Sequence, residues 1–147
     1  MVASKVKDMS RQDMDLVLSD GVETAVHFLE KNGEFFPFGV VKTNKGEIRH
    51  IQAMMESARP TSDSVSEILR ASLKEGGIIG DYDTVAILSN VGLTDKETGK
   101  EVNAISISID DKSADPILCY IPYELGRGSP ILGEIKAGVG DRIAFAK

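Results

Sequence analysis

The sequence predicts an α+β fold: a two-layer sandwich of two helices on a mostly antiparallel sheet of five or six strands, in the order α-β-β-α-β-β-β with room for one further short strand. Three observations predict it. The chain has 147 residues, of which 41% are hydrophobic, enough for one core and too little for two comfortable ones. Two segments repeat apolar residues at spacings of three and four, the period of a helix with one buried stripe. The segments after them alternate or run β-branched between turn residues, the period of strands.

Residues 1–9 are polar and read as a flexible N-terminus, with 10–147 as a single domain. Ser10 reads as a helix N-cap, with Asp13 at capping-box spacing. Met14, Leu18, Val22, Ala25 and Leu29 form the first stripe, and Asn32-Gly33 the stop. Gly21 within it marks a bend or a close packing contact. Phe35–Lys42 changes to a strand period, and Thr43-Asn-Lys-Gly46 turns the chain into Glu47–Gln52, a hairpin. Its first strand is apolar on both faces, and Pro37 within it suggests an edge or a bulge. Arg59-Pro60 ends the next loop. Ser64 with Glu67 makes a second capping box, and Val65, Ile68, Leu69 and Leu73 a second stripe that stops at Gly76-Gly77. Tyr82–Val91, Val102–Ile109 and Ile117–Tyr123 then form a meander. Ile105, Ile107 and Ile109 alternate with Ser106 and Ser108, so one face of that strand is buried. Ile131–Ala137 and Arg142–Phe145 read as further short strands. Because the third meander strand is apolar on both sides, the second face of the sheet also calls for cover.

Charge narrows the function. The net charge is −6 and is spread over both halves, with no cluster of bases to meet phosphates or an anionic membrane surface. Apolar runs are far shorter than a membrane span, and no secretion signal is visible at the N-terminus. Cys119 is the single cysteine, which excludes an intrachain disulfide and suits a reducing, cytoplasmic setting.

No catalytic or metal-ligating constellation stands out, so no cofactor and no metal are expected. His27 lies on the first helix and reads as a solvated face residue. His50, late in the hairpin, is a candidate base or ligand set against an ordinary strand position. The Gly92–Lys100 turn lacks phosphate-loop spacing, and Gly76–Gly80 follows a helix instead of opening one. The acidic clusters Asp81/Asp83, Asp95/Glu97 and Asp110/Asp111/Asp115 sit at turns, where Asp bonds its own backbone. Cys119 reads as a small buried thiol. The segment Ile121–Ile131 holds two prolines and two glycines and offers Tyr123, Glu124 and Arg127 in what reads as an exposed loop. Tyr and Arg anchor interfaces, so with Arg59 and His50 these are the candidate binding residues.

The order helix, Phe36-Pro-Phe-Gly39 hairpin, helix, meander and Ile121-Pro-Tyr123 strand resembles small bacterial α+β proteins, some of the type found among immunity proteins, over residues 35–123 at most. The resemblance carries no motif whose function could be transferred. Together these features point to a non-catalytic protein-binding domain, immunity- or chaperone-like, whose partner is another protein or a second copy in a homodimer. A small-molecule binder or enzyme with a pocket between helices and sheet is the alternative; convergence of His50, Tyr123 and Arg127 would favour it. A structural subunit of a larger assembly is the third reading.

Overall fold

The computed structural model describes residues 2–52 and 61–145, with side chains from Arg11 onward. Among these, two helices and seven strands follow in chain order: α1 (Val2–Asn32), β1 (Phe38–Thr43), β2 (Ile48–Ile51), α2 (Ser62–Ile79), β3 (Tyr82–Thr94), β4 (Glu101–Asp111), β5 (Ala114–Glu124), β6 (Ile131–Leu132) and β7 (Lys136–Val139). The α+β class, the antiparallel sheet and the α-β-β-α-β-β-β order are those the sequence predicts. The strands lie in the order β2-β1-β3-β4-β5, and both β6 and β7 pair with the outer side of β5.

The helices divide between the two faces. Val17, Ala25 and Leu29 of α1 pack on Val40, Ala86, Leu88, Ile105, Ile107 and Ile121. Val65, Leu69 and Leu73 of α2 pack on the opposite face, against Val41, Val85 and Ile87. The two-layer sandwich is therefore corrected to three layers over β1 and β3. The cause lies in those two strands, each of which holds a run of consecutive buried residues, Phe38–Val41 and Thr84–Leu88, so each face needs its own cover.

Several boundaries move. Helix α1 begins at Val2, so residues 2–9 are helical and Ser10 lies inside the helix. Asp13, expected as its capping partner, instead pairs with Lys42 of β1. Gly21 is a close-packing position: a Cβ there would lie 2.7 Å from a methyl carbon of Leu88. Pro37 precedes β1, and β1 is an interior strand between β2 and β3. Helix α2 is capped by Thr61 rather than Ser64, with the Thr61 side chain accepting from the Ser64 N–H and the Ser64 side chain reaching back to the Thr61 backbone. It runs past Gly76-Gly77 to a left-handed cap at Gly80, φ 91°, which only glycine adopts without strain. Arg142–Phe145, expected as a strand, is an irregular tail held by a side chain. The fully buried Asp110 carboxylate accepts the backbone N–H groups of Ile143 (2.9 Å), Ala144 (3.0 Å) and Phe145 (3.0 Å), and the Arg142 guanidinium at 2.8 Å. Ile143 and Ala144 complete the α2-side core.

Candidate functional site

An open groove of about 880 Å³ lies at the end of the sheet where β1 begins. The short connection from α1 into β1 builds it. Gly33 closes the helix by donating to the Leu29 carbonyl at 2.9 Å, and Glu34–Pro37 then cross to the sheet. Phe28, Phe35 and Phe38 form an aromatic wall with ring centroids 5.5–6.4 Å apart, two of the three pairs edge-to-face. Phe36 lines the same groove and is 56% exposed. Polar groups come from Asn32 and Glu34 on one side, Gln52 and Ser62 on another, and Asn90 of β3. The Tyr123 hydroxyl donates to Asn90 Oδ1 at 2.5 Å and so holds that amide in place.

The five predicted binding residues do not converge. His50 projects from β2 to α1, where its Nε2 meets Asp20 Oδ2 at 2.5 Å and Thr24 Oγ1 at 3.4 Å. Both contacts use one ring nitrogen, whereas a nucleophile–base relay needs one at each. Around this pair Glu23, His27 and Glu30 help line a shallow cleft of about 640 Å³. Strands β1, β3 and β4 separate His50 from β5, where Tyr123 and Glu124 sit. Tyr123 is corrected from loop to core: it is 3% exposed and packs beneath α1 with Cys119 and Ile121. Glu124 and Arg127 are exposed as expected. Arg59 lies outside the described residues. The loop after β5 folds back onto α1, with Ser129 Oγ donating to Glu30 Oε1 at 2.5 Å.

The acidic clusters serve the backbone and one another's neighbours. Asp83 pairs with Lys112 at 2.8 Å. Asp95 accepts the Glu97 N–H at 2.9 Å, and that bond chiefly holds its carboxyl below the usual 3.8. Asp111 accepts from the Thr84 hydroxyl (2.7 Å) and the Ser113 N–H (2.8 Å). Among the described residues no group of three or more His, Cys, Asp or Glu side chains is placed to hold a metal ion. No helix of the described residues is long and apolar enough to cross a membrane. Sequence reading missed the groove and the Asp110 clasp. The Phe35–Phe38 run was the available signal for the first; nothing local distinguishes Asp110 from a turn aspartate.

Two buried acids make a pH prediction. Burial pushes the Cys119 thiol above its ordinary 9.0. Burial, with a smaller push from the Glu34 carboxylate and against the Asn90 hydrogen bond, raises the Tyr123 phenol above 10.0. Each group keeps its proton in the folded state after the unfolded chain has released it. Their contribution is therefore complete below the unfolded values and is lost as pH rises through about 9 and beyond. Urea midpoints measured at about pH 8 and about pH 10 should fall at the higher pH, and native Cys119 should resist iodoacetamide at neutral pH. Rapid labelling of the folded chain would contradict the burial of the thiol.

The chain matches no family model, no curated protein and no solved structure in the comparisons made.

Proposed function

We propose that the chain is a non-catalytic protein-binding domain that associates with a second copy of itself. One observation carries the reading: the apolar margin outside β5. Within nine residues Ile131 is 65%, Leu132 40%, Ile135 46% and Val139 92% exposed, and Leu125 of the adjoining loop is 52% exposed. Among the described residues, strands β6 and β7 pair with β5 on one side only, so their other side offers an open strand edge. Apolar side chains beside an open strand edge are the features that recruit another chain, by strand addition or by face packing. Glu124, exposed and paired with Ile131, borders this margin and would form part of its polar rim.

Light scattering across a concentration series tests the reading. The expected result is a dimer of twice 15.8 kDa for the natural chain. Val139→Asp should return a monomer that keeps the natural chain's circular-dichroism spectrum, since within one copy that side chain is almost wholly exposed. A chain that stays monomeric over the whole range, with the variant indistinguishable from it, would sink the self-association. A small-molecule role is the second reading, and the aromatic groove is the observation that favours it.

A further inference from the structure

We propose that the aromatic groove binds a small organic cation with an apolar body, an aryl- or alkylammonium ion. The walls set the apolar half of this assignment. Phe28, Phe35, Phe36 and Phe38 line the groove, Phe36 with 56% of its surface exposed and Phe38 buried behind it, and an aromatic face carries the negative part of the ring quadrupole, which attracts ammonium groups. A volume of about 880 Å³ falls within the range that holds small ligands.

Charge sets the other half. Among the described lining residues Glu34 is the sole charged side chain; Asn32, Gln52, Ser62 and Asn90 are neutral. Among the described lining residues a cation entering the groove meets a carboxylate, while an anion meets no base. The backbone adds to this preference. Phe28 and Asn32 belong to the last turns of α1, so the carbonyl end of a 31-residue helix, the negative end of its dipole, borders the groove. Lys31, the base of that turn, is not among the lining residues. The opposite influence, the start of α2 at Ser62, is muted. The Thr61–Ser64 box already occupies N–H groups there, and Asp63 places a negative charge in the first turn. Glu34 also acts on the inner wall, since its carboxylate helps raise the phenol of Tyr123, the residue that holds Asn90.

The test is a titration of the isotope-labelled chain followed by amide NMR, with three probes sharing one ring: benzyltrimethylammonium, benzyl alcohol and phenylacetate. The expected result is saturable shifts at residues 32–38 and at Asn90 with the cation, which binds about ten-fold more tightly than phenylacetate. Glu34→Gln and Phe36→Ala should each weaken the cation about five-fold, the scale of one cation–π or partly screened charge contact. Glu34→Gln should leave benzyl alcohol unchanged. Both replaced side chains are exposed, so both variants should keep the natural melting temperature. Equal affinity for the three probes, tighter binding of phenylacetate, shifts confined to other surfaces, or a Glu34→Gln chain that binds the cation as before would each overturn the assignment. None of these outcomes bears on the β6–β7 margin.

Discussion

Asp110→Ala should lower stability by about 3–5 kcal/mol, the scale seen when one partner of a buried ion pair is removed. The Asp110 side chain is fully buried and serves four donors at once: three successive backbone N–H groups and the Arg142 guanidinium. Its loss strands donors in the protein interior, each needing water or a new partner. The damage spreads because the tail fills part of a core. Ile143 and Ala144 pack with Leu69, Leu73 and Val85. Ala144 also lies so close to α2 that a Cβ on Gly77 would come within 2.6 Å of its carbonyl oxygen. Asp110→Asn should fall between the natural chain and Ala, since one amide oxygen can still accept while the charge opposite Arg142 is gone. Urea unfolding gives the energies, and limited proteolysis should show cutting near residues 141–145 in the variants before cutting elsewhere. A loss under about 1 kcal/mol for Ala would mean that the tail holds itself by packing alone.

Leu88→Ala should cost about 2–5 kcal/mol. Leu88 is fully buried in the middle of β3, opposite Phe38 on one neighbour and Ile107 on the other, and it meets α1 at Gly21. The pairing with Gly21 makes a sharper test than the single change. A Cβ on Gly21 would sit 2.7 and 2.9 Å from the two Leu88 methyl carbons, so Gly21→Ala alone must push the leucine off its place. With Leu88 shortened the obstruction is gone. Gly21→Ala then keeps only its helix-propensity gain of up to about 1 kcal/mol and fills part of the cavity. The double variant should therefore be more stable than Leu88→Ala, a change of sign read from a double-mutant cycle. Additive effects would mean that helix and strand do not meet there as described.

Much of the fold was legible because its signals are local. The Ile105–Ser106–Ile107–Ser108–Ile109 alternation places the isoleucines under α1 and the serines on the other face, as observed. The turn at Thr43–Gly46 is local too, with Gly46 donating to the Thr43 carbonyl at 2.9 Å. The helix stripes alone are satisfied by a two-layer sandwich; the strands carry the signal for the third layer. Val40 and Val41 are both buried, which already requires cover on two sides. Tyr123 is a similar case. Residues 117, 119 and 121 share a face, and continuing that parity by one step carries Tyr123 into the core; the neighbouring prolines drew it toward the loop. Asp110 and the groove were beyond reach for another reason. The partners of Asp110 lie 32–35 positions away, and the groove draws on α1, the start of β1, the end of β2, α2 and β3. No spacing rule joins such segments before the chain is folded.

The division of the helices grades the sheet from one side to the other. Among the described residues, strands β1 and β3 have a helix on each face, β4 and β5 pack chiefly on α1, and β6 and β7 lean on β5 rather than on a helix. Opening a segment costs in proportion to the buried contacts it gives up. The outer margin can therefore detach and re-form while the three-layer centre stays intact. Such a margin is cheap to reshape, so if it pairs with a second copy as proposed, substitutions at residues 131–139 should tune that affinity with little effect on the rest of the molecule.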